Sequence, residues 1–219
     1  MKNIQGKIAL VTGASRGLGY QTAKLLAREG VHVIGLARTV GALENLSDEI
    51  SDSGGSSTMV PIDLTSDIAL ETLSQEIFIR WGRLDYLIHA ACIPAPMSPV
   101  SSINLEDLEK LFLSNTRALV KLIQITDPFL KQSDNGIAVF VDDLQHGKFL
   151  AAYSCSKSAS REVVNSYQKE SQRIGIKVET FVPRPMPTAL RARFFPGERK
   201  SYLSQCSTEA QKLVSIIAS

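Results

Sequence analysis

The chain has 219 residues, a formal charge of +2 and 44% apolar residues, which suits one large globular domain or two small ones. No basic run or basic–aromatic alternation points to nucleic acid, and no apolar stretch approaches the length of a bilayer span. Cys92, Cys155 and Cys206 are odd in number and lack metal-ligand spacing, so neither a disulfide framework nor a structural zinc is expected.

The opening MKNIQGKIALVTGAS lacks the long apolar region of a secretion signal, so the sequence reads as a soluble cytoplasmic protein. KIALVT (7–12) predicts a buried strand, and 17–29 a helix ended by Gly30. A strand at 31–37 and a helix at 41–53, closed by Gly54 and Gly55, follow. STMVPI (57–62) predicts a third strand, 67–80 a helix, and LDYLIHA (84–90) a fourth strand. Residues 93–102 form a loop, and 104–132 one long helix with Asn104 as its cap and Pro128 late within it. GIAVFV (136–141) is the fifth strand, 151–172 a helix, and IKVETFV (176–182) the sixth strand. Lys177 and Glu179 alternate there with apolar residues, which suits a half-exposed strand near an edge. A loop at 183–200, rich in proline and arginine, precedes a last helix at 208–219. Strand and helix alternate six times without a linker, which predicts one α/β domain over 1–219, a doubly wound parallel sheet of Rossmann type.

The first strand runs directly into TGASRGLG (12–19), with Gly13, Gly17 and Gly19 spaced G-x-x-x-G-x-G. A sharp strand-to-helix turn and close approach of backbone to a pyrophosphate both exclude side chains at such positions, and a helix N-terminus offers unpaired N–H groups to phosphate. Gly13, Ser15, Arg16, Gly17, Leu18 and Gly19 are therefore candidate cofactor contacts; the bland alternative is a tight turn without ligand. The second strand ends in LART, with Arg38 where an NAD-binding fold carries an acid. Arg38 and Arg16 favour NADP(H) over NAD(H), unless Arg38 is simply solvated.

AAYSCSK (151–157) places Tyr153 and Lys157 one helical turn apart. An ammonium beside a phenol favours the phenolate, so this is a candidate acid/base pair. Tyr20 and Lys24 share the spacing, and two polar residues on a solvated helix would look the same.

With these residues in hand, the chain resembles the short-chain dehydrogenase/reductase family over almost its whole length. TGASRGLG is similar to the family's cofactor loop. Asp63, with Leu64 beside it in PIDLT, matches the acid that meets the adenine amino group. Asn115 in LSNTRA matches the family's asparagine, Tyr153–Lys157 its YxxxK pair, and Pro183 and Thr188 the PGxxxT segment. The resemblance implies hydride transfer between NADP(H) and a carbonyl or alcohol substrate. Tyr153 would be the acid/base, Lys157 its tuner and ribose ligand, and Asn115 the holder of a relay water. It also implies a homodimer or homotetramer, and a substrate lid over 183–207 with Met186, Phe194 and Phe195.

The sequence departs from the family's pattern at several points. The serine expected after the fifth strand is absent; VFVDDLQHG offers Asp142 or Asp143, with Asp143 carried as the catalytic candidate. The connection from there to Tyr153 is a few residues short. A carboxylate cannot donate a hydrogen bond to a substrate oxygen. The NNAG segment reads HAAC, with Ala90 and Cys92 near the nicotinamide, and Arg184 replaces the glycine of PG. A seventh strand is missing, which leaves the sixth as an edge. The alternative to an enzyme is therefore a catalytically impaired relative that binds nucleotide and acts through binding or assembly; a scaffold without nucleotide fits the intact loop least. Asp142, Asp143 and His146 read as a polar loop rather than a metal site, so no metal is expected; His89 and Cys155 are expected to pack into the core.

Overall fold

Six short apolar stretches become six parallel strands in a computed structural model that describes residues 3–219. They are β1 (Ile8–Thr12), β2 (His32–Ala37), β3 (Ser56–Pro61), β4 (Tyr86–His89), β5 (Ile137–Val141) and β6 (Lys177–Phe181). Their order is β3-β2-β1-β4-β5-β6, the doubly wound arrangement read from the sequence. Every residue of β1 is buried, because helices cover both sheet faces and leave no side for polar side chains. The polar residues gather instead on the edge strands, Ser56, Ser57 and Thr58 on β3 and Lys177 and Glu179 on β6.

The helices are α1 (Gly17–Arg28), α2 (Val40–Asp52), α3 (Asp67–Arg80), α4 (Leu105–Leu111), α5 (Ala118–Leu130), α6 (Ala151–Ser171), α7 (Ala189–Phe194) and α8 (Cys206–Ile217). One face of the sheet packs against α1, α2 and α8 through Leu26, Leu43 and Leu213; the other packs against α3, α5 and α6 through Leu73, Leu122 and Val164.

Two expectations are corrected. The long helix at 104–132 is interrupted by a π-helical stretch, Phe112–Arg117, between α4 and α5. Asn104 caps α4 as expected, its Oδ1 accepting from the backbone N–H groups of Glu106 and Asp107. The interruption lies at Asn115, whose carbonyl accepts from Ser160 Oγ on α6 at 2.9 Å, and not at Pro128, which sits inside α5. The segment 183–200 is not all loop. Thr188 Oγ1 accepts from Arg191 N–H at 3.2 Å and starts α7.

The chain runs outward from β1 through β2 to β3, then crosses back to place β4 on the other side of β1. This reversal opens a crevice at the carboxyl ends of β1 and β4, where open α/β sheets bind ligands.

Candidate active site

The glycine loop follows β1 into that crevice. A Cβ at Gly19 would lie 2.5 Å from the Gly13 carbonyl oxygen, and one at Gly13 would lie 2.9 Å from the backbone nitrogen of Ala91. Both contacts are with backbone, which cannot move aside, so only glycine lets the turn close against the segment after β4. Gly13 also has φ 68°, in the left-handed region. The residue before α1, Arg16, is extended and makes no side-chain cap, so the helix N–H groups remain available toward the crevice.

Thr12 ties the two sides together. Its Oγ1 accepts from the N–H groups of Ala90 and Ala91, both at 3.2 Å, and lies 2.9 Å from His89 Nδ1. With both lone pairs engaged, the hydroxyl proton must go to Nδ1, which fixes His89 as the neutral tautomer protonated on Nε2. Burial, with the Lys157 ammonium adding to it, drives the His89 pKa down to about 3. His89 is a packed histidine, as its place in an apolar run suggested.

Tyr153 and Lys157 stand on the buried face of α6, at the carboxyl end of β5. Tyr153 O–H donates to Asp143 Oδ2 at 3.0 Å, and Asp143 Oδ1 accepts from Gln145 N–H at 3.1 Å. Asp142 turns the other way, its carboxylate 3.5 Å from Lys157 Nζ and 2.5 Å from Arg161 Nε. Lys157 Nζ also donates to the Val141 carbonyl at 3.2 Å. The two aspartates are thus separated in role, and Asp143 is the one beside the tyrosine. Burial pushes the Tyr153 phenol well above its ordinary range, and neighbouring Cys92 and Asp143 add to the shift. This corrects the expectation of a readily formed phenolate. Lys157 is drawn to Asp142, and Tyr153 faces a carboxylate.

Phe149 lies in the connection between Asp143 and α6. It is the one non-glycine residue among those described with positive φ (68°), and it tightens the turn between β5 and α6. Phe194 of α7 packs on the Tyr153 ring with centroids 4.8 Å apart, so the lid segment reaches the acid/base candidate. Glu209 of α8 holds that segment. It accepts from Arg184 N–H at 3.2 Å and from Ser204 Oγ at 2.6 Å.

One cleft of about 710 Å³ brings nearly all the candidates together. Gly13, Ser15, Arg16, Gly17, Leu18, Gly19, Arg38, Asp63, Leu64 and Ala90 line it, with Asp143, Tyr153, Lys157, Pro183 and Thr188. Asn115 stands behind it. Its carboxamide accepts from Ile93 N–H at 3.0 Å and donates to the Ile93 carbonyl and Ser156 Oγ. This clamps the segment after β4 to α6. Asn115 also borders a separate cavity of about 20 Å³ with His89, Lys157 and Ser160, a volume on the scale of one water.

Tyr20 and Lys24 fall outside the cleft: Lys24 pairs with Glu49 of α2. Cys155, expected in the core, is exposed. Cys92 was noted only as a missing glycine; its Sγ lies 3.7 Å from Tyr153 Oη. Asp142 as the partner of Lys157 also went unread, although Lys157 and Arg161 share a helix face four residues apart. Among the described residues, no group of three His, Cys, Asp or Glu could hold a metal, and no helix is long and apolar enough to cross a membrane.

Residues 7–199 match the family described as short chain dehydrogenase. An uncharacterized oxidoreductase of Staphylococcus haemolyticus is 26% identical over 203 residues, covering 91% of this chain and 87% of the relative. The solved structure of the oxidoreductase yciK of Escherichia coli has a TM-score of 0.93 at 28% identity, covering 99% of this chain and 91% of that one. A short chain dehydrogenase of Escherichia coli CFT073, complexed with NADPH, has a TM-score of 0.91 at 26% identity, covering 100% and 93%.

Proposed function

The chain belongs to the short chain dehydrogenase family, and we propose that it is an NADP(H)-dependent oxidoreductase acting between a carbonyl and its alcohol. The observation that carries this reading is the single cleft. It has a close-packed glycine loop and an uncapped helix N-terminus at one end, and Tyr153 and Lys157 at the other. The residues present fit a dinucleotide. Gly13 and Gly19 let the loop close tightly at the mouth of the cleft, the start of α1 offers N–H groups to a pyrophosphate, and Arg16 and Arg38 offer charge for a 2′-phosphate. The Escherichia coli relative complexed with NADPH supports the same cofactor.

When bound, the dinucleotide supplies or accepts the hydride. The chain's own residues do the rest. All of Asp63, Leu64, Ala90, Pro183 and Thr188 line the cleft; Asp63 and Leu64 would hold the adenine, and Ala90, Pro183 and Thr188 the nicotinamide. Tyr153 O–H gives its proton to the substrate oxygen, which requires it to turn away from Asp143. Lys157 supplies positive charge near that oxygen and a donor for ribose. Asn115 fixes the floor of the site and borders the water-sized cavity of a proton relay.

A second reading, a nucleotide-binding protein of impaired turnover, is favoured by the Tyr153–Asp143 hydrogen bond, which aims the tyrosine proton at an acceptor rather than at substrate. A screen of aldehydes, ketones and cyclic imines with NADPH separates the two. Turnover that disappears in Tyr153→Phe, with fold and NADPH binding retained, supports the enzyme. NADPH binding without turnover of any carbonyl or any cyclic imine supports the second reading.

A further inference from the structure

The group beside Tyr153 in the cleft is a carboxylate, an acceptor where carbonyl chemistry calls for a donor. Asp143 Oδ2 accepts from Tyr153 and Oδ1 from Gln145 N–H, which leaves each carboxylate oxygen with further acceptor capacity and no proton to offer. The cations Lys157 and Arg161 of α6 are committed elsewhere. Both pair with Asp142, and among the described residues no ion pair reaches Asp143. The cleft therefore presents one carboxylate without a cationic partner beside the acid/base candidate. A developing alkoxide at that point would meet a negative charge; a protonated nitrogen would meet its complement.

We propose that the substrate position of this cleft selects a cationic carbon–nitrogen group, an iminium on the oxidised side and an ammonium on the reduced side, with Asp143 as its hydrogen-bond acceptor. This rests on the reading of the cleft as an NADP(H)-dependent oxidoreductase site, and puts a carbon–nitrogen pair in place of the carbonyl and alcohol of that reading. The chemistry suits the arrangement. The iminium carbon gains a hydride and forms a C–H bond, and the carbon–nitrogen π pair becomes the nitrogen lone pair. The reduced nicotinamide dinucleotide is the two-electron donor and ends oxidised. The neutral amine then takes a proton from solvent. No proton is needed from Tyr153 in the bond-making step, so its O–H can remain on Asp143, where it is found, while its ring stays packed against Phe194. A carbonyl makes the opposite demand, because the oxygen that receives the electron pair must be protonated or held by donors.

The test compares benzylamine with benzyl alcohol, which differ only in the head group, as ligands of the protein saturated with NADP⁺. Calorimetry or ligand-observed NMR reads their affinity without turnover. We expect benzylamine, protonated at neutral pH, to bind roughly tenfold or more tightly than the alcohol. Asp143→Asn, which keeps shape and removes charge, should abolish that preference; Asp143→Ser should reverse it. Benzyl alcohol bound at least as tightly as benzylamine, or a preference that survives Asp143→Asn, would overturn the proposal. A protein that binds neither NADP⁺ nor NADPH overturns the oxidoreductase reading beneath it; intact dinucleotide binding with no amine preference overturns this inference alone.

Discussion

The hydroxyl of Tyr153 donates a 3.0 Å hydrogen bond to Asp143 Oδ2, so the acid/base candidate of this site is held by an acceptor. This bond governs how the site can react. It fixes the tyrosine proton, raises the cost of forming the phenolate and puts negative charge beside the substrate position. Asp143→Ser replaces the acceptor with a donor and releases Tyr153. Turnover of a carbonyl with NADPH should rise by about 10² in that variant, the scale of one preorganised donor. An unchanged rate would mean that Asp143 is not what limits carbonyl chemistry here.

His89 makes stability depend on pH in a defined window. Its pKa falls from 6.5 in the unfolded chain to about 3 in the folded one, so between these values the unfolded state binds the extra proton. The contribution of neutral His89 is fully present above about pH 6.5 and is lost as pH falls toward 3. His32, whose pKa is also lowered by burial, acts in the same direction. Urea unfolding at pH 7 and pH 5 should differ by about 2 kcal/mol from His89 alone, at about 1.4 kcal/mol per pH unit. The carboxylates contribute mainly at lower pH. His89→Asn should remove one proton from the slope; a slope equal to that of the parent protein would refute the assignment.

Glu209 holds both ends of the segment from Arg184 to Ser204, the expected lid. Burial works against its charge, yet Lys212, Ser204 and the Arg184 N–H hold its carboxyl below the usual range. Glu209→Ala should free the segment between Arg184 and Ser204, raise KM about tenfold with a smaller effect on kcat, and lower stability by about 2 kcal/mol. Trypsin should then cut at Arg191, Arg193 or Arg199 faster than in the parent protein, with Glu209→Gln intermediate. Equal cleavage rates in all three proteins would remove Glu209 from control of the lid.

Much of this was legible in the residues, for reasons that also mark where reading stops. All six strands stood out because short apolar runs ended at glycine or polar punctuation, and Lys177 and Glu179 correctly placed β6 at an edge. The glycine spacing and the Tyr153–Lys157 pair placed both ends of the cleft. The Asp142–Asp143 choice was not readable, because it depends on which carboxylate meets Lys157 and Arg161 and which meets Tyr153 once α6 packs against the end of β5. The π-helical stretch at Asn115 was hidden, since the α6 side chains that meet it, Ser156 and Ser160, lie 41 and 45 residues away in the chain. Cys155 could have been placed correctly. The buried stripe of α6 runs through Tyr153, Ser156, Lys157, Ser160 and Val164, and residue 155 falls off it. Thr188 likewise has the chemistry of a helix cap, but the prolines around it hid α7.

Whether this cleft binds NADP(H) is read by titrating the purified protein with NADPH and, separately, NADH, followed by nicotinamide fluorescence. Binding should be saturable with NADPH preferred, and the preference should fall about tenfold or more in Arg38→Leu. Absence of binding for both dinucleotides would contradict the oxidoreductase reading, whatever chemistry Tyr153 and Lys157 could otherwise support.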